Sequence, residues 1–297
     1  MNRRAFLATA AAVTAGCGQT ERTTDSPSGD DGPATETRSS GGGPATDSPT
    51  RTETATVAPA SVGVTDVSVP STIEIGTAGT LSVTLENAGG QSGSFSSAVE
   101  AKVGTGEWTA TDATVEATVA AGESVTETVD LPPNHYVEPA SYRLADADPV
   151  ARTRFVAREI PLGETHLLPN GVALSVHDVG FGETYTYESS GGEKTAEPTD
   201  GDKWAVGTVR AENTADEPAR APLVSDIGFF RGEEEYSFQH LSDNRDRYRG
   251  GELEPGSVSE GDLPANVPVA AERAALRVEY SESFEEGQIT VNWTLGE

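Results

Sequence analysis

The sequence predicts an all-β chain: two antiparallel β-sandwiches in tandem behind an N-terminal tether. Three observations carry that prediction. From Ala58 onward the apolar residues recur in short runs of period two, bounded by Gly, Asn and Pro, as in half-buried strands. No stretch sustains the 3.6-residue period of an amphipathic helix. The two halves of this region also repeat one another's turns at nearly constant spacing.

The first half holds seven or eight short strands in about 100 residues, the density of a β-sandwich. Val62-Val64 and Val67-Val69 flank a one-residue phase slip, which predicts a bulge. Leu81-Val83-Leu85 alternates and stops at Glu86-Asn87-Ala88-Gly89-Gly90, a turn sequence. Further strands are expected at Ala98–Val103, Thr114–Val119, Ser124–Leu131, Ser141–Leu144 and Thr153–Val156. Trp108, after Gly-Thr-Gly, is expected to cap the core.

In the second half, Val172-Leu174-Val176 and Trp204-Val206-Thr208 alternate, and Ile227–Phe230, Tyr236–Phe238 and Ala274-Leu276-Val278-Tyr280 follow. Ile289-Val291-Trp293-Leu295 puts every large apolar residue on one face. The halves echo each other at Glu86-Asn87 and Glu212-Asn213, 126 residues apart, and at Gly122 and Gly256, 134 apart. The second half also has a longer connection, about 180–202, containing Tyr185, Tyr187 and a Gly-Gly pair, and this is expected to form an exposed lip. The expected domains are residues 1–16, 17–58, 59–158 and 159–297.

The first sixteen residues read as an address. Arg3-Arg4 followed by Phe6-Leu7 resembles a twin-arginine export signal, and the apolar run Ala5–Ala15 is shorter than the ~20 residues needed to span a bilayer. Thr14-Ala15-Gly16-Cys17 looks like a lipobox, which implies diacylglycerol on Cys17 and membrane lipid as a partner on the extracytoplasmic face. Cys17 is the only cysteine, so no intrachain disulfide can form. A blue-copper site, which needs a thiolate beside its histidines, is likewise excluded. Residues 17–58 contain fifteen Ser or Thr and no aromatic residue; Val57 is their only branched aliphatic. Such a segment buries too little apolar surface to offset its chain entropy, and as a flexible coil it spans about 35 Å.

The chain carries 48 acids against 20 bases, a net charge of −28, and only Lys102, Lys194 and Lys203 are lysines. Removing residues 1–16 takes away Arg3 and Arg4, leaving 18 bases and a net charge of −30. This is the pattern of proteins from extreme halophiles. Self-repulsion of that size opposes a compact state, and molar salt screens it by shortening the Debye length to ~3 Å. Nucleic acid is an improbable partner, because phosphate contacts need clustered bases.

These residues carry a resemblance. The strand ending in Glu86-Asn87-Ala88-Gly89, the Gly122-Glu123-Ser124 hairpin and the Val129-Asp130-Leu131-Pro132 strand end resemble the cell-adhesion-related immunoglobulin-like modules of prokaryotic surfaces. Four features of the second half resemble telokin-like, immunoglobulin-like domains of secreted lipoproteins. They are Trp204–Asn213 with the following Asp216-Glu217-Pro218, Phe229-Phe230-Arg231-Gly232, Leu253-Glu254-Pro255-Gly256 and Leu276–Tyr280. With the export signal, the whole resembles twin-arginine lipoproteins of halophilic archaea. The resemblance implies an immunoglobulin-like fold and transfers no catalytic residue.

His135, His166, His177 and His240 lack metal-ligand spacing, and no nucleophile elbow, phosphate loop or His-Glu-x-x-His pair is present. Glu233-Glu234-Glu235 reads as a solvated hairpin, and Asp146-Ala147-Asp148 is a weak Ca²⁺ candidate. Arg245, Arg247 and Arg249 alternate between acids; on a strand they would share a face able to grip an anion. Asn292-Trp293-Thr294 has the form of an N-glycosylation acceptor. No enzyme activity, metal or cofactor is expected. The favoured function is a lipid-anchored cell-surface protein serving adhesion, envelope scaffolding or protein–protein contact, with envelope proteins or glycans as partners. The alternative is a ligand- or metal-binding lipoprotein using Tyr185, Tyr187 and Arg245–Arg249.

Overall fold

The structure is a computed structural model that describes residues 56–145 and 147–296. Eight strands lie between residues 62 and 156: β1 (Val62–Ser68), β2 (Thr72–Glu74), β3 (Gly79–Asn87), β4 (Gly93–Val103), β5 (Thr109–Val119), β6 (Ser124–Leu131), β7 (Pro139–Leu144) and β8 (Ala151–Val156). They form a three-stranded sheet, β1-β3-β6, and a five-stranded sheet, β2-β8-β7-β4-β5. The alternating side chains of β3 explain how the sheets meet. Leu81, Val83 and Leu85 are fully buried, each worth about 1.5–3 kcal/mol over exposure. The expected bulge is present: the register of β1 against β3 shifts between Val64 and Asp66.

Thirteen strands follow. They are β9 (Arg158–Pro161), β10 (Thr165–Leu167), β11 (Val172–Gly182), β12 (Tyr185–Ser189), β13 (Gly192–Ala196), β14 (Asp202–Asn213), β15 (Ala219–Ala221), β16 (Ile227–Arg231), β17 (Glu234–Tyr236), β18 (Gly251–Leu253), β19 (Val258–Pro268), β20 (Arg277–Ser283) and β21 (Gln288–Thr294). A four-stranded sheet, β10-β11-β14-β19, and a five-stranded one, β17-β16-β20-β21-β9, make the main layers; β12-β13 and β15-β18 are two-stranded. Pro264 and Pro268 fit in β19 because it is an edge strand, where a missing N–H breaks no ladder. On β21, Ile289, Val291 and Trp293 are at most 1 % exposed, and Leu295 just beyond is 5 % exposed. The Trp293 indole donates to the Glu164 carbonyl at 2.9 Å, satisfying the one polar atom that this face buries. The chain is an all-β sandwich protein; the helical residues among those described are two single 3₁₀ turns.

Two pairings depart from the antiparallel expectation. β2 runs parallel to β8, and β9 runs parallel to β21. Each is a strand of three or four residues, too short to show a period, and each closes its sheet against the last strand of its own half. Period-two reading has nothing to count in such pieces.

The echoed asparagines occupy equivalent corners. Asn87 is fully buried; its Oδ1 accepts from the N–H groups of Ser61 and Gly89, and its Nδ2 donates to the carbonyls of Gln91 and Val119. Asn213 is also fully buried, with Ala215 N–H on Oδ1 and the carbonyls of Glu217 and Leu253 on Nδ2. Gly122 N–H donates to the Asn87 carbonyl at 2.9 Å, and Gly256 N–H to that of Asn213 at 2.8 Å. Both glycines need positive φ, +71° and +72°, where a Cβ would be strained. A side-chain amide that ties one turn to two strands explains why the same short words recur at both places.

Arg158–Pro161 is itself strand β9, so only Ala157 separates the strands of the two halves. The halves also touch directly. Val137 N–H donates to the Gln288 carbonyl at 2.7 Å, and the Tyr136 and Phe284 rings meet edge-on at 6.4 Å. Gly287 (φ +150°) lies so close that a Cβ there would sit 2.8 Å from the Tyr136 Cβ. Apart from Tyr185, Tyr187 and Trp204, the buried apolar residues of both halves form one continuous cluster.

Candidate functional site

The connection between β11 and β14 is a hairpin, not an open lip. Alternation along Tyr185-Thr-Tyr-Glu-Ser turns Tyr185 and Tyr187 inward, where they are 6 % and 7 % exposed. They stack on each other at 5.6 Å, and Tyr185 meets Trp204 at 5.7 Å, making a small core of their own. The tyrosines are therefore structural, which corrects the expectation that they are displayed. Burying three aromatic rings stabilises a hairpin that is marginal alone.

The segment 239–250 does pack against this hairpin, as pairing the two regions in one site required, but through its acids and backbone. The Asp246 carboxylate accepts Glu188 N–H at 2.7 Å, Arg245 N–H donates to the Glu188 carbonyl at 2.9 Å, and Asp243 is held by Ser190. Tyr185 Oη donates to Asp262 Oδ2 at 2.8 Å and accepts from Asn244 Nδ2 at 3.2 Å. Burial pushes the Asp262 carboxyl above the usual carboxylate range; the Tyr185 hydrogen bond opposes that and the nearby Asp246 adds to it. Burial likewise pushes the Tyr185 phenol up.

The arginine stripe is the second correction. Asp243–Arg249 is irregular, with a single bridge from Arg247 to Asp262, so the alternation does not create one face. Arg245 and Arg249 are exposed. Arg247 is half-buried, its Nη1 3.1 Å from His240 Nδ1 and its guanidinium 5.7 Å from the Phe238 ring centre. Tyr248, between them, is fully buried and donates to the Pro222 carbonyl at 2.9 Å, which anchors the loop.

Asn292 is the third correction. It is 7 % exposed on an inner strand, with Arg277 Nε donating to its Oδ1 at 3.2 Å, so its amide is not displayed as a glycan acceptor in the folded chain. Glu233–Glu235 are exposed, with Glu234 paired to Arg231 at 2.7 Å. Trp108 is half-buried beneath the Arg143 guanidinium, 4.3 Å from its ring centre, rather than a core cap. Cys17, Arg3, Arg4 and Asp146 lie outside the described residues.

The histidines are less scattered than their spacing implied. His177 Nε2 lies 2.8 Å from Ser175 Oγ, a local pair. His166, on β10, reaches the first half: a Cβ at Gly76 would lie 3.0 Å from its Cε1. His166 is 3 % exposed and its pKa is lowered to about 4, first by burial and then by the charges of Arg158 and His135. Among the described residues no group of three or more His, Cys, Asp or Glu is arranged to hold a metal ion.

A concavity that the sequence did not announce lies at the same junction. It is a cleft of about 260 Å³ with Tyr136 from the first half and Leu168, Arg220, Glu282 and Phe284 from the second on its walls. Leu168 and Arg220 lie next to β10 and on β15, Glu282 is on β20, and Phe284 is at the tip of the β20–β21 turn. These positions span nearly 150 residues and share no motif.

No protein-family model matches the chain, and no curated protein does. Solved structures do show similarity. The YjhA protein of Bacillus subtilis is 16 % identical over 45 % of this chain and 98 % of its own, with a TM-score of 0.34. The secreted protein MPT63 of Mycobacterium tuberculosis is 15 % identical over 47 % of this chain and 98 % of its own, with a TM-score of 0.32. A β-sandwich protein of Clostridium difficile is 12 % identical over 46 % of this chain and 94 % of its own, with a TM-score of 0.31. Among the described residues no helix is long and apolar enough to cross a membrane.

Proposed function

We propose that the chain is a non-enzymatic surface protein of a salt-requiring cell, lipid-anchored through Cys17 on the extracytoplasmic face. In this reading two tandem immunoglobulin-like domains, 59–158 and 159–297, act as a stiff scaffold for contact with other envelope proteins, and residues 17–58 set them off from the membrane. The observation that supports it is the junction. A one-residue link, a backbone hydrogen bond from Val137 to Gln288 and a shared apolar cluster resist bending between the halves. A module that positions a partner at a fixed distance needs that stiffness, because a flexible joint spreads the binding surface over many orientations.

Two measurements test the reading. Cys17→Ser is expected to move the protein from the membrane fraction to the medium, and continued membrane association would remove the anchor from the proposal. Carboxyl-directed crosslinking of intact cells is expected to give a discrete heteromeric species with an envelope protein. Recovery of monomer alone would overturn the scaffold role. The ligand-binding alternative at the β12–β13 hairpin loses support, since Tyr185 and Tyr187 are enclosed by their own fold.

A further inference from the structure

The cleft at the junction combines two charges that do not neutralise each other. Arg220 is exposed on β15 between the buried Ala219 and Ala221, so its side chain must leave the sheet on the cleft side. Among the described residues, none of the ion pairs within 4.0 Å involves Arg220 or Glu282, although both border this cleft. Eight of the twelve described arginines make no carboxylate pair within 4.0 Å; what sets Arg220 apart is its place on a cleft wall that also carries Glu282. Glu282 is half-buried and oriented: Tyr280 Oη donates to its Oε2 at 2.9 Å, leaving Oε1 without a protein donor. The remaining walls are mostly apolar, with Leu168 4 % exposed and the Tyr136 and Phe284 rings edge-on; Asn170, whose Nδ2 donates to the Arg220 carbonyl at 2.8 Å, is the polar exception.

We propose that this cleft binds an α-amino acid with an apolar side chain, its carboxylate on Arg220, its ammonium on Glu282 and its side chain against Tyr136, Phe284 and Leu168. A zwitterion supplies both missing partners at once and adds no net charge to an already anionic protein. At ~1 M salt the Debye length is ~3 Å, so attraction from a distance is screened and only direct charge-assisted hydrogen bonds discriminate. A guanidinium fork suits a carboxylate, and an orienting hydrogen bond on Glu282 suits a compact ammonium. The cleft volume of about 260 Å³ falls just below the ~300–1,000 Å³ of drug-sized sites, which favours one amino acid over a peptide or a cofactor. This site goes beyond the scaffold role and does not depend on it.

The test is calorimetric titration of the full chain in about 2 M KCl with L-phenylalanine and L-leucine, alongside L-phenylalaninamide and N-acetyl-L-phenylalanine. Saturable binding of the free amino acids is expected, with both blocked derivatives weaker by about tenfold or more. Arg220→Gln and Glu282→Gln are expected to weaken binding by about tenfold each while leaving the melting curve in place. Glutamine at 282 can still accept from Tyr280; were that variant to misfold, Arg220→Gln and the derivative series would decide. The proposal is overturned by no saturable heat up to ~10 mM, by a derivative that binds as well as its parent, or by parent-like binding to Arg220→Gln. A silent titration leaves the scaffold reading intact, since that reading rests on crosslinking.

Discussion

The two halves share a corner and differ in what they hang on it. Asn87 and Asn213 each tie a turn to neighbouring strands, and Gly122 and Gly256 complete those turns at matching φ. Yet residues 59–158 carry five bases against thirteen acids, a net charge of −8, whereas 159–297 carry ten against twenty-eight, a net charge of −18. The second half also inserts the β12–β13 hairpin and the 239–250 segment, with a separate aromatic core. The difference teaches that the shared plan resides in buried polar geometry, which tolerates little change. Elaboration and charge accumulate in the β11–β14 connection and on the outer surface, where packing leaves sequence free.

Salt should break the comparison most. Reducing KCl from 3 M to 0.1 M lengthens the Debye length from a few Å to ~10 Å and exposes the self-repulsion of both halves. The expected result is loss of amide-exchange protection first in β11, β14 and β19, and only later in β3 and β4. An unchanged melting temperature across that range would remove the halophilic interpretation.

Next in size is the corner itself. Asn87→Ala removes four hydrogen bonds, two of them buried, and is expected to cost about 3 kcal/mol, while Asn213→Ala removes three, one of them buried, and costs about 2 kcal/mol. Thermal melts in matched KCl measure both, and equal costs below about 1 kcal/mol would show that the amides are not the common element.

At the junction, His166 makes stability depend on pH. Its folded pKa, about 4, lies below the 6.5 of the unfolded chain, so the unfolded state binds the proton first as pH falls. The native state is fully favoured above about pH 6.5 and loses about 3 kcal/mol as pH drops toward 4, with no further change below. His166→Gln should flatten that slope in melts between those pH values. An unaltered slope would assign the effect to other groups.

The smallest effect belongs to the insert. Tyr185→Phe removes the hydroxyl between Asp262 and Asn244, for a cost of about 1–2 kcal/mol, and should accelerate exchange in β12 and β13 while leaving β1–β8 unchanged. Spread of that effect into β3 would mean that the insert is integral to the whole fold.

The long strands, the β1 bulge, the Asn echo and the apolar face of β21 were legible in the sequence because each is a local period or a turn with a stereochemical demand. The hairpin was not. Tyr185 and Tyr187 alternate over only five residues, and whether such a pair faces solvent or a neighbour depends on Trp204 and on the 239–250 segment folding over it. The arginine stripe misled because alternation implies one face only on a strand, and Asp243–Arg249 is held irregular by Tyr248 and Asp246.

By itself, then, the sequence determined the β character, the acidic surface and the repeated corner, all consequences of composition, period and backbone stereochemistry. Only the tertiary structure decided that His166 packs beside Gly76, that short parallel strands close both halves, and that Arg220 and Glu282 border one cleft without pairing. Those facts depend on residues far apart in the chain being brought together by packing at the junction, and no local pattern encodes a distance across it.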